Sequence, residues 1–272
     1  MAGDRRGIGH VMSSPAVLME SALEVARLAS LVALRYYKQD LAVEIKQDGS
    51  PVTLADRAAE QLAREWIHAR FPADGVLGEE FGETPGASGR RWLLDPIDGT
   101  KSFVRGVPLW GTCVAVCEGN DVLAGAAAFP AVEEYIAAAP GEGCWHNGAR
   151  ARVSCIEAIE AATVLVTDDR LFARAEQRAG WDVLSQRAHM SRGWGDCYGY
   201  LLVATGRAEV MVDPIVQPWD VAPLLPIIEE AGGVFTAWNG RRDAFAGDAV
   251  ATNRLLADAA RTLLWRADDG SR

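Results

Sequence analysis

Trp92-Leu93-Leu94-Asp95-Pro96-Ile97-Asp98-Gly99-Thr100-Lys101 is an apolar run that stops on two aspartates three residues apart, with proline between them and glycine after. The apolar part reads as a buried strand and the rest as a turn at its end. Such a turn aims two carboxylates and a backbone carbonyl at one point. Hard cations such as Mg²⁺ take oxygen ligands in a fixed arrangement, which suits Asp95 as a bridging ligand and Asp98 as a second one. Gly99 and Thr100 then present N–H groups suited to a phosphate. An isolated Asp-Pro or Asp-Gly pair is also an ordinary solvated turn, so context decides.

Two other acidic sites supply that context. Gly78-Glu79-Glu80 follows the apolar pair Val76-Leu77, and Pro218-Trp219-Asp220 stands ahead of an apolar helix. Asp220 also reads as the N-cap of that helix.

Working outward, Ser14-Pro15 starts a helix that runs to about Lys38, with Val17, Leu18, Val25, Leu28, Val32 and Tyr36 at helical spacing. Asp48-Gly49 and Pro51 predict a turn. Thr53 with Asp56 then forms a capping-box start to a second helix, ending near Phe71-Pro72. Leu109 to Cys117, Val122 to Phe129 and Glu134 to Ala138 read as an antiparallel meander. After residue 145 the pattern alternates: strand Val164–Thr167, helices around Leu171–Ala188 and Tyr198–Ala204, and strand Val210–Val212. Helix Val221–Ala231, strands Val234–Ala237 and Ala249–Thr252, and a last helix from Asn253 complete it. Two halves are expected, 1–145 as an α+β unit and 146–272 as an α/β unit, with a site between them.

With 27 basic and 37 acidic side chains the formal charge is −10, and no basic stripe is present, which argues against a nucleic-acid polymer as partner. Clustered acids holding divalent cations accept an anionic substrate despite that charge. The five cysteines form no ligand pattern and are expected as reduced, mostly buried thiols. No secretory apolar core follows Met1, and the uncharged, strand-like run Gly106 to Cys117 is too short to span a bilayer. The expectation is a soluble, cytoplasmic protein without a membrane partner.

The three acidic motifs, in this order and spacing over about residues 45 to 253, resemble the inositol monophosphatase superfamily. Its pattern is G-E-E, then D-P-x-D-G-T, then W-D before an apolar helix closed by A-G-G, here Ala231-Gly232-Gly233. The resemblance implies a layered αβαβα sandwich of the inositol monophosphatase/fructose-1,6-bisphosphatase type and a metal-dependent phosphomonoesterase. It further implies that Glu79, Asp95 and the Ile97 carbonyl bind one cation, and Asp95, Asp98 and Asp220 another. Two or three Mg²⁺ per site, or Mn²⁺, are the implied cofactors. Paired cations activate a water for direct in-line attack and stabilise the departing alkoxide. Glu79, Thr100 and Asp56 are the implied catalytic residues, Thr100 and Asp56 by orienting that water; Asp56 also fits as a plain capping residue. Lys46 falls where the family keeps a lysine near the metals, and also reads as a solvated turn lysine. A small phosphate monoester is the expected partner, and a homodimer the expected assembly.

Specificity is sought in Arg192-Gly193-Trp194-Gly195-Asp196-Cys197-Tyr198-Gly199-Tyr200. Inositol phosphatases typically carry small residues here. The G-D-C-Y-G-Y segment, together with the run from Asp95 to Pro108, resembles the histidinol-phosphate phosphatase branch and implies hydrolysis of that ester in histidine biosynthesis. Asp196 suits the substrate's ammonium or imidazole, which neutral inositol hydroxyls do not require. Asp196 also reads as an N-cap; for Asp213 the resemblance implies an acidic contact to the substrate's organic part, while the residues alone read as a turn acid before Pro214; Trp110 reads as a pocket or core aromatic. Arg192 reads as a phosphate contact or a partner of Asp213. An inositol-1-phosphate or adenosine 3′,5′-bisphosphate phosphatase remains the enzymatic alternative, and a non-catalytic metal- or phosphate-binding regulator the other. No G-x-x-x-x-G-K-[ST], G-x-S-x-G or H-E-x-x-H is present, and D-x-x-D is not the D-x-D of aspartyl-phosphate phosphatases.

Overall fold

Ser14 caps the first helix, α1 (Pro15–Leu34), by accepting a hydrogen bond from the Val17 N–H, with Pro15 in the first turn where its missing donor costs nothing. The computed structural model describes residues 13–39, 42–45 and 51–265; Lys46 and the Asp48-Gly49 turn lie outside them. The α-helix stops at Leu34, earlier than expected. Beyond it, Tyr36 and Tyr37 donate to carbonyls only three residues back, and Lys38 turns left-handed at φ 60°. Strands β1 (Glu44–Ile45) and β2 (Pro51–Val52) pair antiparallel. Helix α2 (Leu54–Arg70) starts with the expected capping box: Asp56 Oδ2 accepts from the Thr53 N–H at 2.8 Å and the Thr53 hydroxyl at 2.7 Å.

An eight-stranded sheet follows. In chain order it holds β3 (Gly75–Gly78), β4 (Gly82–Thr84), β5 (Arg90–Asp98), β6 (Gly111–Glu118) and β7 (Asp121–Phe129), then β8 (Glu134–Ala139), β9 (Gly143–His146) and β10 (Ala149–Arg150). Its spatial order is β10-β9-β8-β7-β6-β5-β3-β4. β3 runs parallel to β5, and β5 through β10 form an antiparallel meander. Between β5 and β6 a short helix, α3 (Thr100–Phe103), completes the D-P-I-D-G-T turn.

The second half builds a five-stranded sheet from β11 (Thr163–Val166), β12 (Met190–Arg192), β13 (Val210–Asp213), β14 (Val234–Thr236) and β15 (Ala249–Thr252), ordered β12-β11-β13-β15-β14. Its helices are α4 (Ala175–Arg187), α5 (Asp196–Ala204), α6 (Pro218–Val221), α7 (Leu224–Glu230) and α8 (Ala257–Leu264). The helix expected over Val221–Ala231 is therefore two. Pro223 supplies no N–H at the junction, and Pro226 is tolerated in the first turn of α7. The last helix starts at Ala257, because Asn253 Oδ1 first accepts from the Leu256 N–H in a turn. α4 begins after a separate turn, Asp169–Leu171, capped by Asp168.

Alternation along the strands sorts side chains into three cores. Trp92, Leu94, Val114, Val116, Ala124 and Ala126 meet α1 and α2, where Ala22, Ala26, Ala29 and Ala33 let helix and sheet approach closely. Leu93, Cys113, Ala115 and Phe129 point the other way, onto α5 and α7, and join Leu165 and Met211 of the small sheet. Val164, Val210, Val212 and Val250 pack against α4 and α8. The layers are thus α1/α2, large sheet, α5/α6/α7, small sheet and α4/α8, the expected αβαβα sandwich. Among the described residues no helix is long and apolar enough to cross a membrane.

Candidate active site

In a regular strand, residues three apart face opposite sides of the sheet, so Asp95 and Asp98 would diverge. They do not, because β5 carries a bulge. Asp95 pairs with Cys113 and Asp98 with Gly111, so three steps on β5 match two on β6. Pro96 sits in the bulge, its carbonyl accepting from the Thr112 hydroxyl at 2.7 Å, while Asp95 Oδ1 accepts from the Ile97 N–H at 3.0 Å. The extra residue returns Asp98 to the face of Asp95, and Ile97 is buried in the core on the other side. Gly99 then turns left-handed at φ 88°, where a Cβ would stand 3.0 Å from the Leu109 carbonyl oxygen.

Parallel pairing of β3 with β5 puts Gly78 opposite Leu94 and so brings Glu79 beside Asp95; the Glu79 N–H donates to the Leu94 carbonyl at 3.1 Å. Asp220 arrives from the second half. It is not the N-cap: Gln217 holds that place, and Asp220, three residues on, accepts from the Gln217 N–H at 2.8 Å. Carboxylate oxygens of Asp95, Asp98 and Asp220 lie within 4.8 Å of one another. Thr100 donates its hydroxyl to the Ile97 carbonyl at 2.9 Å.

These groups line a cleft of about 380 Å³ between the halves, with Glu79, Asp95, Asp98, Asp168, Asp196 and Asp220 as its carboxylates against Lys101 as its one basic side chain among the described residues. Burial, then the charges of Glu79, Asp98 and Asp220, push Asp95 well above the ordinary carboxylate range. Burial, then Asp196 and Asp220, do the same to Asp98, against the opposing Cys197 N–H. Burial raises Asp220 to about 7, opposed by its bond from the Gln217 N–H. Asp56 rises to about 6, chiefly through burial, and its Oδ1 is buried with no hydrogen-bond partner. Crowded, dehydrated carboxylates with an orphan oxygen nearby form a donor set that fits hard divalent cations.

The specificity segment is fastened to both sheets. The Cys197 N–H donates to Asp98 Oδ2 at 2.5 Å, and the Asp196 N–H to the Thr167 hydroxyl, just past β11, at 2.8 Å. Asp196 is not an N-cap either. It is the first helical residue after Gly195, makes no capping bond and is left-handed at φ 52°. Its side chain lines the cleft. Burial, then Asp213, raise its pKa to about 7, against Lys101.

Asp213 lies behind the main cleft at the end of β13, accepting from the Tyr200 hydroxyl at 2.9 Å and the Thr167 N–H at 3.3 Å. Arg192 does not reach it: Arg192 is exposed at the end of β12, donates to the Ser191 carbonyl and does not line the cleft. Trp110 is a core aromatic, fully buried edge-on to Phe103 at 4.9 Å. Four of the five cysteines are buried and all are free. Sequence reasoning passed over Thr167, Asp168, Lys101 and Gln217. Thr167 and Asp168 follow an apolar run, the signal that revealed Glu79 and Asp95.

An αβαβα sandwich with converging acids at the ends of β3 and β5 defines a class. The sequence model of the inositol monophosphatase family matches residues 15–268, and the chain belongs to that family of metal-dependent phosphatases. Within it, the chain is 45% identical to a histidinol-phosphatase of Chlorobaculum parvum, over 85% of this chain and 90% of that one. It is 38% identical to a histidinol-phosphatase of Mycobacterium tuberculosis, over 88% and 94%. Among solved structures, the extragenic suppressor protein SuhB of Bartonella henselae superposes with a TM-score of 0.86 at 26% identity, covering 92% of this chain and 98% of that one.

Proposed function

We propose that the chain hydrolyses histidinol phosphate to histidinol and phosphate. Asp196 carries this reading: a carboxylate on the cleft wall, facing Lys101 and the metal-site acids, suits a leaving group with cationic nitrogen. The two histidinol-phosphatases it resembles add support.

Glu79, Asp95 and the Ile97 carbonyl would hold one Mg²⁺, and Asp95, Asp98 and Asp220 a second. When bound, these cations supply the charge that lowers the pKa of a water and stabilises the departing alkoxide. The chain's own groups do the rest. The Thr100 hydroxyl and Asp56 Oδ1 orient the attacking water, and the Gly99 and Thr100 N–H groups receive the phosphoryl oxygens. Asp196 pairs with the ammonium or imidazole of the leaving group and fixes its orientation. Asp213 holds the Thr167 N–H, and Thr167 in turn holds the Asp196 N–H.

Assay of histidinol phosphate, inositol 1-phosphate and adenosine 3′,5′-bisphosphate in parallel tests the reading. The expected kcat/KM for histidinol phosphate exceeds the others by about 10–100-fold, the worth of one charge-assisted pair. Equal or better turnover of inositol 1-phosphate would overturn it.

A further inference from the structure

Glu60 is a fully buried carboxylate on α2, one turn beyond Asp56, that the proposed chemistry does not use. Its Oε2 accepts from the Glu80 N–H at 2.7 Å and its Oε1 from the Phe81 N–H at 3.2 Å. Arg64 pairs with it at 2.7 Å and reaches onward to the same loop, donating to the Gly82 carbonyl and, at 3.0 Å, to the Thr84 hydroxyl of β4. The turn between β3 and β4 is therefore fastened to one helix through two of its N–H groups, a carbonyl and a hydroxyl. Glu79 stands at the start of that turn. Its own N–H is held by Leu94, and the next two N–H groups are held by Glu60.

Gly78 follows from the same arrangement. A Cβ there would sit 2.0 Å from Glu60 Oε1, so the strand must end in glycine for the carboxylate to reach under the turn. The first letter of the G-E-E motif is thus space for Glu60. α2 also carries Asp56 at its first turn, so one rigid helix sets two of the site's acids, one directly and one through Glu60.

We propose that Glu60, braced by Arg64, is a positioning residue that holds Glu79 in its cation-binding orientation before any cation arrives. This rests on the reading of Glu79 as a cation ligand. A buried ion pair outside the cleft stands at the opposite end of the same strands: Asp74 with Arg90 at 3.2 Å, also bonded to the Trp92 indole N–H at 3.0 Å. That pair is the control.

Mn²⁺ binding to metal-free protein is measured by calorimetry for wild type, Glu60→Gln, Asp74→Asn and Glu79→Gln, with amide exchange at Glu80 and Phe81 followed by NMR in the same metal-free samples. Glu60→Gln is expected to weaken Mn²⁺ by about 10–100-fold, the usual effect of losing a group that orients a ligand, and to speed exchange of both amides. Asp74→Asn lowers Tm with Mn²⁺ affinity unchanged. Folded Glu60→Gln that binds Mn²⁺ like wild type overturns the proposal, as does an equal loss in Asp74→Asn. If wild type takes up no Mn²⁺, or Glu79→Gln binds as wild type does, the cation reading itself falls and the proposal with it. Should Glu60→Gln not fold, Arg64→Gln is judged by the same criteria, with a smaller loss expected.

Discussion

The two walls of the cleft are built by different means. On the large-sheet side, strand geometry delivers Asp95, Asp98 and Glu79: adjacent strand ends, one bulge and a parallel pairing put them together, and Glu60 of α2 braces the turn that follows Glu79. On the small-sheet side, Asp196 is itself left-handed, its N–H caught by the Thr167 hydroxyl, and Thr167 is tied through its own N–H to Asp213. The first wall rests chiefly on strand geometry within one sheet, with α2 as its brace; the second depends on contacts among β11, β13 and α5. Under the proposed function the first wall carries the reaction and the second the contacts to the leaving group.

Asp98→Asn is the strongest attack on the first wall. It keeps the shape of the side chain and removes a ligand charge, so kcat should fall on the order of 10³-fold, several kcal/mol of lost transition-state stabilisation. Metal-free Tm should stay level or rise, since Asp98 is an acid that burial and its neighbours disfavour as an anion. Wild-type kcat at saturating Mg²⁺ would remove Asp98 from the chemistry.

The second wall is tested by Asp196→Asn, preferred to alanine because asparagine tolerates the left-handed backbone. Losing a charge-assisted pair should lower kcat/KM for histidinol phosphate by about 10–100-fold and leave a small neutral phosphate ester within about threefold. Equal losses on both esters would mean that Asp196 only shapes the helix start.

Gly125→Ala probes how the walls are held together. A Cβ there would meet the Pro223 carbonyl oxygen at 2.0 Å, a backbone atom at the α6–α7 junction that no rotamer change can move. An expected loss of about 1–3 kcal/mol in denaturant unfolding follows from overpacking. Unchanged stability would show that the junction shifts freely on β7.

The same contrast explains what was legible from sequence. The first wall was readable because an apolar run ending in acid, proline and glycine is a local pattern, and the capping box of Thr53 and Asp56 is another. The bulge was not readable, since it exists only in the register of β5 against Cys113 and Gly111. Asp196 was readable as a candidate by its charge, but its left-handed backbone depends on Thr167, far away in sequence. The same limit hid Glu60, which looks like any helix glutamate until the β3–β4 turn is folded over it. β4, β10 and β12 escaped notice because edge strands of two or three residues carry too little pattern.

The acids of the two walls also act together in the absence of cations. Asp56 and Asp213 are raised to about 6, and Asp196 and Asp220 to about 7, in each case chiefly by burial. An acid whose folded pKa lies above its unfolded value of about 3.9 binds its proton more tightly in the native state. Between roughly pH 4 and 7 the folded protein therefore holds more protons than the unfolded chain, so stability falls as pH rises through that window. Metal-free protein should lose Tm from pH 5 to 7.5, opposite to an ordinary salt-bridged aspartate. If Mg²⁺ binds the ionised acids, as the proposed function requires, the Tm gain on adding it should grow over the same interval. Differential scanning calorimetry at several pH values, with and without Mg²⁺, reads both slopes. A metal-free Tm that rises across this range would mean the carboxylates are already ionised and compensated by the protein alone, leaving no electrostatic demand for a cation between the walls.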